Sequence, residues 1–206
     1  MIRKSAVILL LLALLSISCG NRVDPDVVYS GTYGSYVKVL REWTRSDKVY
    51  VTGFDTVMTV TATYESKRFR DAMIAERARA QMLKPTQIER LKQENEEELG
   101  RFAVFFVKLY MPDYKYNRLD KDDSGFSVWL IDKIGRKVSP VKIKEVRIKT
   151  VDKTKFYPFT DEWSDYYEVR FPRETSAGEK LELESGELKL SIASVVGKAE
   201  LAWVMP

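Results

Sequence analysis

The segment from Arg101 to Tyr110 (RFAVFFVKLY) is a nearly continuous run of valine, phenylalanine and other apolar residues. β-Branched and aromatic residues favour strands, and an apolar run without alternation is typical of a strand that is buried on both faces. The segment from Phe54 to Tyr64 (FDTVMTVTATY) alternates instead with a period of two, which predicts a strand with one buried face. Together the two segments predict a β-sheet in which residues 101–110 form a central strand.

Toward the C-terminus the chain continues as a series of short predicted strands. Phe126–Ile131 follows a polar turn, and the alternation in 141–148 slips by one residue at Lys144-Glu145, which predicts a β-bulge. Residues 188–203 predict a terminal hairpin, with Trp203 in the core and Trp129 buried in the strand that ends at Ile131. About seven short strands separated by turn signals predict a mainly β fold, an immunoglobulin-like β-sandwich.

Residues 66–99 have a helical period and predict an α-helical hairpin inserted between two strands. The first helix ends near Lys84-Pro85, a capping-box pattern at Thr86–Glu89 begins the second, and Gly100 is expected to end it. Segment 66–84 has six basic and two acidic residues, whereas segment 86–99 has five acidic and two basic residues. We therefore expect the two arms to pair through their opposite charges.

The segment from Tyr36 to Trp43 fits two structures. Tyr36, Val39, Leu40 and Trp43 would share one face of a helix. Its valines also fit a strand that pairs with residues 49–51 beyond a Ser-Asp-Lys turn. We favour the strand.

The N-terminus has the pattern of an export signal. Arg3 and Lys4 precede Ala6–Leu15 (AVILLLLALL), an uninterrupted run of ten apolar residues. A membrane-spanning helix needs about 20 such residues, so this run fits the apolar region of a signal peptide instead. The alternative is an ordinary secretory signal in which the cysteine that follows occurs by chance.

Leu15–Cys19 (LSISC) places the chain's single cysteine directly after Ser18, and it resembles the lipobox of bacterial lipoproteins. The resemblance implies cleavage before Cys19, a diacylglyceryl group on its thiol and acylation of the new N-terminus. Because Gly20 rather than aspartate follows, it also implies an outer-membrane location facing the periplasm. We accordingly predict a signal peptide (1–18), a lipidated tether (19–35) and one sandwich domain (36–206).

Four further phrases carry a second resemblance. They are ATYESKRFRDA (62–72), FFVKLYMPD (105–113), FYPF (156–159) and YYEVRFP (166–172). These phrases resemble an uncharacterised group of bacterial envelope lipoproteins and cover most of the mature chain. The resemblance implies compartment and general architecture, and it carries no assigned activity and no catalytic residues.

The composition excludes several kinds of site. The 206 residues include no histidine and one cysteine, so a Ser–His–Asp triad, a Cys–His pair and an internal disulfide are impossible. Loss of residues 1–18 removes Arg3 and Lys4 and leaves 32 basic and 30 acidic residues. This near balance gives no argument for nucleic acid as a partner.

Asp120–Gly125 (DKDDSG) has the spacing of the first half of a calcium loop, with Asp120, Asp122 and Ser124 as candidate ligands. The twelfth position, which should be glutamate, is Ile131. We therefore predict a polar turn and no metal or other cofactor.

Seven aromatic residues fall within 16 positions: Phe156, Tyr157, Phe159, Trp163, Tyr166, Tyr167 and Phe171. If exposed, Tyr157, Trp163 and Tyr166 could form a surface that binds envelope glycans. If buried, these rings would form one end of the core, with tyrosine hydroxyls bonded to loop backbone. We favour the buried arrangement, because alternation already directs Tyr167 and Phe171 inward.

Four acidic residues lie near the same cluster and could support a carboxylate-based hydrolase. They are Asp161, Glu162, Asp165 and Glu168. Because no catalytic motif is found, the leading hypothesis is a non-catalytic, lipid-anchored binding or assembly module of the envelope. Its partners would be the membrane, through the lipid on Cys19, and an envelope protein or glycan.

Overall fold

The computed structural model describes residues 33–50, 56–112, 118–121, 123–147 and 155–205. The predicted signal peptide, the predicted lipidation site Cys19 and most of the predicted tether lie outside these residues. None of the described helices is long and apolar enough to cross a membrane. The helices within the described ranges are α1 (Tyr33–Trp43), α2 (Lys67–Gln81) and α3 (Pro85–Arg101). The strands are β1 (Thr44–Tyr50), β2 (Thr56–Tyr64), β3 (Phe102–Tyr110), β4 (Ser127–Ile131), β5 (Lys137–Val138), β6 (Lys142–Glu145), β7 (Asp165–Pro172), β8 (Gly186–Ser194) and β9 (Gly197–Met205).

The strands form two antiparallel sheets, which confirms the prediction of a mainly β fold. Sheet 1 has the order β1-β2-β3-β7-β6, and sheet 2 has the order β5-β4-β8-β9. The apolar segment that ends at Tyr110 forms β3, the central strand of sheet 1, as its sequence predicts. On β3, Phe105 is aligned with Tyr64 of β2 on one side and with Val169 of β7 on the other.

Alternate residues of both sheets bury one continuous apolar core, the inter-sheet core. Trp203 of β9 lies at its centre, 1% exposed, with its ring centroid 5.3 Å from that of Phe105. The prediction that Trp203 is a core residue is confirmed. The same prediction for Trp129 is wrong, because this ring is only half-buried and the Lys137 Nζ lies over it, 5.0 Å from the ring centroid.

A second apolar cluster, the outer core, covers the opposite face of sheet 1. Phe105 and Phe106 are adjacent on β3, yet Phe105 packs in the inter-sheet core and Phe106 packs in the outer core. This double burial explains why β3 shows no alternation in sequence. The buried members of the outer core are Tyr36, Val37, Leu40, Phe69, Phe106, Val146, Phe156, Tyr157 and Tyr166.

Residues 36–43 are helical, so the predicted strand is wrong. Tyr36 and Leu40 lie on one face of α1 and are buried in the outer core, where the Tyr36 ring lies 6.0 Å from that of Phe69. The helix begins at Tyr33, so residues 33–35 belong to it rather than to a tether. The predicted Ser-Asp-Lys turn instead lies within β1.

The two predicted hairpin helices are present as α2 and α3, but the structure places some of their ends at other residues than predicted. Ser66 caps α2 by accepting a hydrogen bond from the Phe69 N–H at 3.2 Å. The capping box at Thr86 is wrong, because Pro85 is the first helical residue and the side chain of Gln87 accepts from the Lys84 N–H at 2.9 Å. The helix continues past Gly100.

The bulge predicted at Lys144-Glu145 is also wrong. Residues 142–145 of β6 pair with residues 167–170 of β7 without a shift in register. Ile143 packs against the inter-sheet core, and Val146, three residues later, lies on the opposite face in the outer core. Burial on both faces of sheet 1 therefore produces the same change of pattern as a bulge.

The two sheets are joined at one edge by β1 and β9. The Arg45 Nε donates to the Ala202 carbonyl at 2.9 Å, and the Trp203 Nε1 donates to the Trp43 carbonyl at 2.8 Å. Gly197 permits the close approach at the turn before β9. Its φ is +145°, and a Cβ there would lie 2.5 Å from the Val49 Cγ1.

Candidate ligand-binding cavity

A cavity of about 490 Å³ lies between the helical hairpin and the outer face of sheet 1. Its apolar surface includes Phe106 and Tyr157, whose stacked rings have centroids 3.8 Å apart. The other apolar residues of this surface are Met73, Ile74, Leu91, Val146 and Phe156. The polar lining residues are Glu65, Arg70, Arg77, Glu94, Asn95, Glu98 and Glu168.

Strand β2 and the helices position the polar residues. The Glu65 N–H still donates to the Val104 carbonyl of β3, at 2.9 Å, so the sheet fixes the position of Glu65. Ser66 then begins α2, which places Arg70 in its first turns on the side of the cavity. Asn95 and Glu98 are three residues apart on α3 and therefore share one helix face.

Arg70 is the centre of a buried network of polar side chains. Its Nε donates to the Glu65 Oε2 at 2.9 Å, and its Nη1 donates to the Asn95 Oδ1 at 3.0 Å and to the Glu98 carboxylate. The Tyr157 hydroxyl donates to the Glu65 Oε1 at 2.6 Å. The network therefore ties both hairpin helices to sheet 1 and to the segment that holds Tyr157.

Arg170 of β7 extends the network across the sheet. Its Nη2 lies 2.7 Å from the Glu98 Oε1 and 2.7 Å from the Glu168 Oε1. Glu65, Glu98 and Glu168 thus each pair with an arginine. The predicted charge pairing of the hairpin arms is confirmed at its base, where the Lys67 Nζ also lies 3.2 Å from the Glu96 Oε1.

The network fixes the protonation states of Arg70 and Tyr157. Burial alone would lower the pKa of Arg70, but the charges of Glu65 and Glu98 outweigh burial and raise this pKa. Burial first, and then the negative charge of Glu65, raise the pKa of Tyr157 well above its ordinary value. At neutral pH, Arg70 is a cation and the Tyr157 hydroxyl is a neutral donor.

One buried donor at the cavity has no partner. Asn95 is 6% exposed, and its Nδ2 makes no hydrogen bond within the described part of the chain. Nearly all buried polar groups in proteins are hydrogen-bonded, so the unpaired amide marks a position in the cavity where ordered water or a bound ligand can supply an acceptor. The Arg170 Nε is a second buried donor without a described partner.

The sequence-predicted aromatic surface is not formed. Tyr157 and Tyr166 are buried in the outer core, whereas Trp163 is 79% exposed and lies away from the cavity lining. The Tyr166 hydroxyl donates to the Asp161 carbonyl at 2.7 Å, and burial chiefly raises the pKa of Tyr166 to about 12. The favoured prediction, buried rings with hydroxyls bonded to loop backbone, is confirmed for Tyr166.

The four acidic residues predicted near the aromatic cluster do not converge. Asp161 lies 2.5 Å from the Lys108 Nζ, and although burial would raise the pKa of Asp161, this cation lowers it. Glu162 is exposed, and of the four only Glu168 lines the cavity.

The cavity residues Glu65, Arg70, Asn95 and Glu98 were missed by sequence reasoning. Only the pairing of Arg70 with Glu98 had a signal in the sequence, namely the opposite charges of the two helices.

The candidate calcium loop is described only in part. The Asp120 Oδ2 lies 2.9 Å from the Lys121 Nζ, and Asp122 lies outside the described residues. Within the described ranges, no group of three or more acidic or cysteine residues could hold a metal ion. The prediction of a polar turn at Asp120–Gly125 stays a prediction.

Comparisons with known proteins give no family. No family model matches the chain, and no curated protein matches it. Among solved structures, the chain is similar to a novel protein of unknown function from Burkholderia pseudomallei K96243, determined at 1.90 Å resolution. The identity is 11% and the TM-score is 0.37, over 88% of this chain and 92% of that chain. A likeness at this level establishes neither a family nor a function.

Proposed function

We propose that this protein is a non-catalytic ligand-binding module, anchored in the bacterial envelope by a lipid on Cys19, and that the cavity under the helical hairpin is its binding site. One observation carries the proposal. Asn95 is buried at the cavity with an unpaired amide donor, although the polar groups around it are paired.

The contacts of the cavity carboxylates support binding rather than catalysis. Glu65, Glu98 and Glu168 each form an ion pair with Arg70 or Arg170. A hydrolase that uses two carboxylates needs both of them to face the bond that is broken. Here both oxygens of Glu65 and both oxygens of Glu98 already contact side chains of the protein.

We infer that the two sheets form an immunoglobulin-like sandwich. The order β2-β3-β7-β6 corresponds to strands A-B-E-D of that fold, and β5-β4-β8-β9 corresponds to C′-C-F-G. Strand β1 is then an addition beside A, and the helical hairpin is an insertion between A and B. A crystal structure with a different strand order would contradict this assignment.

We propose an outer-membrane location, with the domain facing the periplasm. Gly20, rather than aspartate, after Cys19 supports the outer membrane. The motif ending at Cys19 supports a stable anchor, since three acyl chains exceed the two signals needed for stable anchoring. Cys19→Ala should leave an uncleaved precursor or release the domain from the lipidated membrane fraction. Normal cleavage and continued acylation of this variant would contradict the proposed anchor.

The binding function is tested by what the protein carries from its own membranes. The mature lipoprotein would be purified in detergent and extracted with solvent, and the extract analysed by mass spectrometry. Leu91→Trp would fill the cavity, whereas Ile88→Trp changes a half-buried residue of the same helix that does not line it. A compound recovered with the wild type and Ile88→Trp, and lost with Leu91→Trp, is the expected result. Identical extracts from all three proteins would contradict the function.

A further inference from the structure

We propose that the cavity binds neutral compounds in which a carbonyl oxygen, as in an amide, is attached to an apolar ring or chain. This inference rests on the binding function proposed above. It follows from the unpaired donor, the charge around it and the shape of the apolar surface.

The donor is the Nδ2 of Asn95. The Oδ1 of the same amide accepts from the Arg70 Nη1 at 3.0 Å, so the orientation of the group is fixed with Nδ2 as its free end. A ligand oxygen that accepts from Nδ2 would restore the hydrogen bond that burial otherwise removes. The group that fits is therefore an acceptor and not a donor.

The surrounding charges disfavour an anion. Arg70 and Arg170 face three carboxylates, those of Glu65, Glu98 and Glu168, so the network has one negative charge in excess. Glu94 and Arg77, which also line the cavity, add one charge of each sign. A ligand carboxylate would accept from Nδ2 but would be repelled by this excess.

A cation is disfavoured for a different reason. Both oxygens of Glu65 already accept hydrogen bonds, from Tyr157 and Arg70, and both oxygens of Glu98 are held by arginines. An ammonium group would meet the cation of Arg70 and the donor of Asn95, with these oxygens already engaged. A neutral carbonyl avoids both conflicts.

The apolar part of the ligand is set by the cavity surface. Phe106 and Tyr157 present stacked rings, and Met73 and Ile74 lie on the helical side. A volume of about 490 Å³ is within the usual range for small-molecule sites, about 300–1,000 Å³. A ring or short chain bearing one amide fits this volume.

Three probes of similar shape and different charge test the proposal: phenylacetamide, phenylacetate and 2-phenylethylamine. Each would be titrated into the mature lipoprotein in detergent, and the side-chain amide signal of Asn95 followed by NMR. We expect phenylacetamide to bind at least tenfold more tightly than either charged probe and to shift the Asn95 signal. Tighter binding of phenylacetate or 2-phenylethylamine would overturn the proposed ligand class.

Asn95→Asp removes the donor and keeps the acceptor for Arg70. We expect it to weaken phenylacetamide binding about tenfold, and unchanged affinity in a folded variant would overturn the role of Asn95. If the variant unfolds, the ranking of the three probes on the wild type tests the ligand class instead.

If no probe binds while the extract of the wild type contains a compound that Leu91→Trp loses, the ligand class is wrong and the binding function stands. If the extract also contains none, the function itself fails.

Discussion

The inter-sheet core and the outer core share strand β3 but differ in what they bury. The inter-sheet core is built from apolar side chains that alternate along paired strands, with Trp203 among aromatic rings. The outer core adjoins the buried ion pairs of Arg70 and an open cavity. Apolar packing stabilises a fold without regard to direction, whereas a polar network must be satisfied group by group. The difference indicates that apolar packing alone fills one face of sheet 1, whereas the other face combines apolar packing with the candidate site.

Replacing Trp203 with alanine would have the largest effect on the inter-sheet core. The change leaves a void among Tyr64 and Phe105 and removes the hydrogen bond from its Nε1 to Trp43, so we expect a loss of about 3–5 kcal/mol of unfolding free energy. Urea unfolding would measure it. Trp163→Ala, the same substitution at a 79% exposed position, should change the free energy by less than about 0.5 kcal/mol. Equal losses in the two variants would contradict the packing described for Trp203.

Replacing Arg70 with methionine tests the outer face. It leaves Glu65 and Glu98 without their shared cation, and we expect a loss of about 3 kcal/mol in urea unfolding. Arg68→Met is the control, because Arg68 is exposed and pairs with Glu42 at the surface, where a pair contributes about 0–1 kcal/mol. A stable Arg70→Met protein would show that the network does not hold the hairpin on the sheet.

Asp132 provides a charged group at the edge of the inter-sheet core. Its carboxylate accepts from the N–H groups of Ile134, Arg136 and Glu182, and it pairs with the Arg136 guanidinium. Burial would raise the pKa of Asp132, but these donors outweigh burial and lower it. We expect Asp132→Asn to cost about 2 kcal/mol at pH 7.

The effect of Asp132 should depend on pH. Because its folded pKa is lowered, its contribution is complete above the unfolded pKa of about 3.9 and is lost as pH falls through the folded value. The difference in unfolding free energy between the wild type and Asp132→Asn should therefore narrow between pH 5 and pH 2. A difference that stays constant over this range would contradict the assigned contacts.

The smallest effect is expected at Met82, which lies at the tip of the hairpin, away from both cores. Met82 is 89% exposed and has a φ of +49°, a left-handed conformation that favours glycine. Met82→Gly should raise the unfolding free energy by about 0.5 kcal/mol. Gln81→Gly, one residue earlier in helical conformation, should lower it by about 1 kcal/mol. Destabilisation by both changes would indicate that the tip packs more tightly than described.

The two cores also differ in how far the sequence predicts them. The apolar segment from Phe102 to Tyr110 and the position of Trp203 follow from patterns within single strands, and both were predicted correctly. Tyr36–Trp43 was assigned wrongly because its residues fit either period. Tyr36 and Leu40 are buried in the same cluster as Phe69, which is about 30 residues away in sequence. This burial favours the helix over the strand.

The candidate site was harder to predict because its residues come from separate elements. Arg70 is 25 positions from Asn95 and 28 from Glu98, so no local motif contains them. Tyr166 lies on the outward face of β7, where alternation alone predicts exposure; its burial was predicted from the aromatic cluster, and the outer core covers it. Alternation along a strand predicts which face packs against the partner sheet. It does not predict whether helices or loops cover the opposite face.

The contact between β1 and β9 has a consequence for the order of folding. Three hydrogen bonds join residues 153 to 160 positions apart, one of them from the Glu200 N–H to the Asp47 carboxylate. Contacts this distant in sequence require closure of a very long loop, which slows folding. They cannot form until β9 has emerged from the ribosome. Until then, Val49 lacks its contact at Gly197 and the edge of sheet 1 formed by β1 stays open to unwanted pairing. A chain of this topology therefore needs protection from unwanted pairing during synthesis, until β9 has packed beside β1.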